Sequence, residues 1–248
     1  MKLLVLDFDG VISDSAPECF TTAWATWRTL EPASPLLTQT PETVRAGFLS
    51  LMPLGNRAED FGIALRILER GARVESQADY DAYRAELDPA WLRTFHKRFY
   101  RERAARARSD RTGWLRQMAA YPEMLALLPR LAERTALAIA TAKDRRTVGV
   151  LLREYGLSHL FPEACVLDKE TGVSKAEHME HLGRELGVTF PEISFVDDKL
   201  NHLDAVAPLG VRCLLAGWGY NGPREHVLAA ERGYPVCSLD DLETHLLA

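Results

Sequence analysis

Asp7 and Asp9 stand two residues apart where the apolar run Lys2-Leu3-Leu4-Val5-Leu6 ends, with Phe8 between them and Gly10 directly after. Side chains alternate along a strand, so the two carboxylates point one way and Phe8 points the other. A short continuous apolar run of this kind reads as a buried parallel strand. Two acids on one side of its carboxyl end repel each other. A held proton, a cation, or both must offset that repulsion. Gly10 allows the chain to turn sharply just beyond them.

Two later apolar runs also end in reactive groups, with a lysine between them. Leu137-Ala138-Ile139-Ala140 leads to the hydroxyl of Thr141, Lys175 precedes a helical pattern, and Ile193-Ser194-Phe195-Val196 leads to Asp197-Asp198. Four acids, a hydroxyl and a lysine can supply a nucleophile, neutralise oxygens and protonate a leaving group. Those are the needs of phosphate-ester hydrolysis, whose enzymes reach accelerations of ~10²¹.

The elements that must position these residues fall into two kinds. Residues 15–30 are expected to be helical, with Phe20, Trp24 and Trp27 on one face. A second helix is expected near Pro41, a turn at Met52-Pro53-Leu54-Gly55-Asn56, and helix again through Phe61, Leu65 and Leu68 as far as Gly71. A long helical pattern covers about 79–108, broken near Asp88-Pro89. No strand is expected between about 15 and 120. From Tyr121-Pro122 onward strands alternate with helices. Strands are expected at 136–141, 164–167, 192–197 and 211–215. Helices are expected around Met124 to Leu131 and Val148 to Tyr155, and over 174–186 and 200–208. Such alternation implies an α/β fold with a doubly wound parallel sheet. Its ligands sit at the carboxyl ends of the strands, where Asp7, Thr141 and Asp197-Asp198 fall. The predicted division is an α/β core of residues 1–14 and 120–248 with an all-helical insertion at 15–119.

Asp7-Phe8-Asp9-Gly10-Val11-Ile12, followed by Asp14-Ser15, resembles the first motif of the haloacid dehalogenase superfamily. The strand ending in Thr141, then Lys175, then Asp197-Asp198 are similar to its later motifs in the same order. The resemblance covers roughly residues 1–15 and 115–220. It implies a helical cap inserted after the first motif, Asp7 as the nucleophile that forms an aspartyl-phosphate, and Asp9 as the acid and base. Asp9 argues against carbon–halogen cleavage, which in this superfamily does without that residue and without metal. The resemblance also implies Mg²⁺, held by the side chains of Asp7 and Asp198 and the backbone carbonyl of Asp9, with Asp197 assisting. Thr141 and Lys175 are then the phosphate-binding pair, with Lys143, Lys169 and Lys199 as rival lysines and Lys143 read as a surface residue. Two departures stand out: His202 occupies the place of a further acid, and Ala176 follows the lysine where proline is usual.

The expected function is a Mg²⁺-dependent phosphatase acting on a small phosphorylated metabolite. A phosphosugar mutase of the same superfamily and a catalytically idle binding protein are the alternatives. A phosphonate hydrolase ranks low, because Lys97 is the only lysine of the insertion. Arg57, next to the predicted turn, is the candidate contact for the non-transferred part of the substrate.

The net charge of −5 over 248 residues gives no general attraction to nucleic acid or acidic membranes. The arginine-rich stretch 97–111 reads as a solvated helix face, because Glu102 and Asp110 interrupt it. His178, His181 and His202 are read as surface or supporting residues, and Gly217-Trp218-Gly219-Tyr220 as a structural loop. No apolar run approaches the ~18 residues of a membrane span. The apolar start is too short for the ~7–15 residue core of a signal peptide. Cys19, Cys165, Cys213 and Cys237 show neither a CxxC pair nor metal-type spacing, which suggests reduced thiols and a cytoplasmic protein.

Overall fold

The computed structural model describes residues 1–248 except Asn56, Lys169, Val173 and Ala248. Among the described residues the chain opens with β1 (Leu3–Leu6) and β2 (Ser13–Asp14). It continues through α1 (Ala16–Leu30), α2 (Pro41–Leu51), α3 (Ala58–Arg70), α4 (Gln77–Ala85), α5 (Pro89–Ser109) and α6 (Arg111–Arg116). Then come β3 (Ala119–Ala120), α7 (Pro122–Ala132), β4 (Ala136–Ala140), α8 (Arg145–Glu154), β5 (Val166–Leu167), α9 (Lys175–Leu186) and β6 (Ile193–Asp197). The remaining elements are α10 (Leu200–Val206), β7 (Arg212–Ala216), α11 (Pro223–Glu231), β8 (Val236–Cys237) and α12 (Leu242–Leu247). The chain forms two compact units, Met1–Asp14 with Ala119–Ala248, and Ser15–Met118.

The first unit is built on a parallel six-stranded sheet in the order β5-β4-β1-β6-β7-β8. All four residues of β1 are fully buried, so both of its faces are covered. On one face Leu3, Val5 and Phe195 pack with Met179 and Leu182 of α9 and with Leu203 and Val206 of α10. Leu6 pairs with Ile139 of β4 on one side and Val196 of β6 on the other. The chain first builds outward from β1 to β4 and β5, then crosses back to place β6 on the opposite side of β1. This reversal is the topological switch point, and it brings the residues after β1, β4 and β6 to one edge.

Two expectations need correction in this unit. Ala119–Ala120 pairs antiparallel with Ser13–Asp14, where no strand was expected before residue 120. Two residues per strand carry no readable periodicity. The expected strand 164–167 is only Val166–Leu167, because Glu163–Cys165 winds into a 3₁₀ turn after Pro162.

The second unit is helical. Thr40, Ser76 and Asp88 cap α2, α4 and α5 through their side-chain oxygens, and Pro41 and Pro89 occupy first turns. Gly71 ends α3 in the left-handed conformation, with φ 60°. Trp27, Phe48, Ile63, Phe95 and Phe99 are fully buried and form its core. The expected pattern over 79–108 becomes the two helices α4 and α5. Arg103 is not on a solvated face. It follows Phe95 and Phe99 at four-residue spacing, so it continues their inward stripe. Its guanidinium donates to both oxygens of the fully buried Glu18, at 3.0 and 2.6 Å, and lies 4.6 Å from the Phe99 ring.

Candidate active site at the carboxyl edge of the sheet

Asp7 follows β1, Thr141 follows β4, and Asp197 ends β6 with Asp198 directly after it. The strand pairing continues past the strand ends: the Asp7 N–H donates to the Val196 carbonyl at 3.0 Å, and the Thr141 N–H donates to the Leu167 carbonyl at 2.9 Å. Beyond Asp7 the chain folds tightly, with the Ile12 and Ser13 N–H groups both donating to the Phe8 carbonyl. Gly10 takes a φ of 84°, and a Cβ there would lie 2.4 Å from Asp198 Oδ2, so both backbone and space demand glycine. Phe8 points away from the acids, as strand alternation requires, and stacks on Tyr155 at 6.3 Å.

Lys175 joins the acids. It opens α9, whose N-terminus is fixed by the reciprocal bonds of Ser174 and Glu177. Its Nζ donates to Asp7 Oδ1 at 2.8 Å and to the Ala140 carbonyl at 2.5 Å, and lies 3.1 Å from Asp197 Oδ2. His202, in the place of the further acid, lies on Asp197 through Nδ1 at 2.9 Å, and the Lys199 N–H donates to the same carboxylate.

The electrostatics follow from this pairing. Burial alone would raise Asp197, but His202 and Lys175 beside it hold it far below the usual carboxylate range. Burial pushes Asp7 above its ordinary value. Lys175 opposes that shift, and the charge of Asp197 adds to it. Burial favours the neutral form of Lys175, yet Asp197 and Asp7 outweigh it and keep the ammonium charged. Asp198 goes well above the carboxylate range through burial, and then through the charge of Asp197. Its Oδ2 accepts the Tyr220 N–H at 2.8 Å, whereas its buried Oδ1 has no hydrogen-bond partner among the described residues.

That orphaned oxygen fits a cation. A buried, partnerless carboxylate oxygen is costly, and oxygen-rich, acidic donor sets suit Mg²⁺. Asp7 and Asp198 are the side chains that would hold it. Asp7, Asp197 and His202 also place ligand atoms within 4.8 Å of one another. There the Lys175 ammonium bridges Asp7 and Asp197, and His202 lies on Asp197. The loop 217–220, read from the sequence as structural, supports Asp198: a Cβ on Gly219 would lie 2.3 Å from Asp198 Cβ.

Thr141 is buried, and its hydroxyl accepts the Lys143 N–H at 3.1 Å. Lys143 itself corrects the sequence reading. It is buried rather than on the surface, and its Nζ donates to both oxygens of Asp9, at 2.9 and 3.1 Å. Of the other rival lysines, Lys199 is buried and Lys169 lies outside the described residues. His178 is buried too. Its ring lies against the Asp168 carbonyl, and burial together with Lys175 pushes it down to about 4. Arg57 belongs to the helical unit, where it is exposed at the start of α3 and its N–H donates to Asp60. All four cysteines are buried thiols.

No curated protein matches the chain. Among solved structures, a haloacid dehalogenase-like family hydrolase from Streptococcus pneumoniae is similar at TM-score 0.71 and 14% identity, over 99% of this chain and 98% of that one. A predicted phosphoglycolate phosphatase from Haemophilus somnus is similar at TM-score 0.67 and 20% identity, with the same coverage of 99% and 98%. A predicted phosphatase from Clostridium acetobutylicum gives TM-score 0.68 and 13% identity, again over 99% and 98%. At these identities the likeness is one of fold. A family model for haloacid dehalogenase-like hydrolases matches residues 1–210, the span that carries Asp7, Thr141, Lys175 and Asp198, and the chain belongs to that family of hydrolases.

Proposed function

We propose that the protein is a Mg²⁺-dependent phosphatase that hydrolyses a small phosphorylated metabolite through a phosphoryl group carried on Asp7. The observation that carries this reading is the buried Asp7 carboxylate, held by Lys175 at 2.8 Å at the sheet edge, with Asp9 two residues on. Phosphatase names among proteins of the same fold agree with it.

Asp7 attacks phosphorus in line with the leaving oxygen, forming the acyl-phosphate as the ester P–O bond breaks. Asp9 gives its proton to that oxygen. It then takes a proton from the water that attacks the phosphorus, which frees phosphate and restores Asp7. Lys175 faces Asp7 and balances the phosphate charge, and the Thr141 hydroxyl is a donor to a phosphate oxygen. Asp7 and Asp198 would hold the Mg²⁺, which would supply neutralisation of the phosphate charge.

The helical unit serves as a cap that sets specificity, with Arg57 as its substrate contact. The partner is a small phosphorylated molecule rather than nucleic acid or membrane, and the cell compartment is the cytoplasm. No helix among the described residues is long and apolar enough to cross a membrane. An idle binding protein has no need for the complete set Asp7, Asp9, Thr141, Lys175 and Asp198.

A screen of phosphorylated metabolites with Mg²⁺, run beside Asp7→Asn, tests the reading. Release of phosphate from at least one substrate by the wild type and none by the variant is expected. Equal activity of the two proteins contradicts it.

A further inference from the structure

Lys143 is a buried cation of the site to which the mechanism gives no task. Lys143 sits in the loop after β4, where the Thr141 hydroxyl accepts its N–H and Asp144 caps α8 through the Thr147 N–H. This local closure turns the Lys143 side chain inward. Its Nζ spans both oxygens of Asp9. The Lys143 side chain is 2% exposed and that of Asp9 is 28% exposed. The ammonium therefore lies behind the carboxylate, on its protein side. The two contacts, one to each carboxylate oxygen, fix the plane of the Asp9 carboxyl group.

We propose that Lys143 is the positioning residue of Asp9, holding the acid in the orientation that meets the leaving oxygen. The inference rests on the reading of Asp9 as general acid. It makes Lys143 distinct from Lys175, which faces the nucleophile. A lysine that bound the transferred phosphate would affect every substrate alike. In the first step, which releases the alcohol and is read by kcat/KM, a lysine that aims the acid matters only where the leaving oxygen needs a proton.

The test compares an alkyl phosphate, glycerol 2-phosphate, with p-nitrophenyl phosphate, whose leaving group departs with little protonation. Wild type, Lys143→Met, Lys143→Gln, Lys143→Arg, Asp9→Asn and the Lys143→Met/Asp9→Asn double variant are assayed with Mg²⁺. Asp9→Asn is expected to lose ~10²–10⁴ in kcat/KM on the alkyl ester. Lys143→Met should lose ~10-fold or more on it in kcat/KM, without exceeding the Asp9→Asn loss, and stay near wild type in kcat/KM on p-nitrophenyl phosphate. Lys143→Arg should recover part of the loss, and the double variant should be no slower than Asp9→Asn alone, since both act through one group. Lys143→Gln takes the place of the methionine variant if that one does not fold.

Equal losses on both esters, or no loss on either, overturn the positioning role. So does a double variant whose losses multiply. If Asp9→Asn itself shows no dependence on the leaving group, the acid assignment fails, and the role of Lys143 falls with it.

Discussion

Lys175→Met removes the charge that binds the site together. The wild-type ammonium contacts Asp7, Asp197 and the Ala140 carbonyl, and its side chain is only 6% exposed. The variant keeps the volume but leaves two buried carboxylates facing each other, with His202 as the partner of Asp197. Removing one member of a buried ion pair costs about 3–5 kcal/mol. For a chain of this size that corresponds to a fall in Tm of roughly 6–20 °C. The loss should depend on pH. Asp197 is depressed in the folded protein and returns to an ordinary value of ~3.9 when unfolded. Its pairing therefore stabilises fully above ~4 and is lost as pH falls through the depressed folded value. The gap between wild type and variant should be widest near pH 7 and shrink in acid. Urea unfolding from pH 7 down to pH 3, without added metal, measures it. A loss under ~1 kcal/mol at pH 7 would fit only an exposed pair. That result, or a loss unchanged across the pH range, would refute Lys175 as the counter-ion of the site.

Asp198 gives the opposite pH dependence. Its raised value means that the folded protein keeps a proton which the unfolded chain releases above ~4, so stability falls as pH rises from there through the raised folded value. Mg²⁺ competes with that proton and should raise Tm more at pH 8 than at pH 5, while Asp198→Asn should abolish the shift. Equal shifts at both pH values contradict the assignment. In the helical unit, Arg103→Met should cost about 3–5 kcal/mol in urea unfolding by stranding Glu18, and Glu18→Gln in addition should recover part of it. Arg57→Ala should raise KM for the physiological substrate and leave p-nitrophenyl phosphate hydrolysis nearly unchanged. Equal effects on both substrates would remove Arg57 as the selector.

The parts of the structure that were legible in the sequence are those with a continuous local signal. Leu3 to Leu6 is apolar without a break because both faces of β1 are covered, and its abrupt end marks Asp7. Gly71 and Gly187 take positive φ where the helices predicted through Leu68 and over 174–186 stop. Lys175 was placed by the resemblance, before a helix in the interval it implies between Thr141 and Asp197. Lys143 could not be placed, since nothing periodic surrounds a single loop lysine. Its burial comes from the Thr141 hydroxyl bond and from a partner 134 residues away. The replacement of an acid by His202 is visible in the sequence, but its consequence appears only when its ring is found on Asp197. Arg103 did carry a signal, the 95/99/103 stripe, which the run of neighbouring charges obscured. The ribbon of β2 and β3 is too short for any pattern.

The central claim is that Asp7 carries the phosphoryl group, and trapping it is the most direct test. The protein is mixed with Mg²⁺ and p-nitrophenyl phosphate, quenched in acid within the first turnover, digested, and its peptides weighed. One phosphoryl mass on the peptide containing Asp7, removed by hydroxylamine and absent from Asp7→Asn, is the expected result. Steady release of p-nitrophenol by Asp7→Asn, or a phosphoryl group on another residue, would contradict the account.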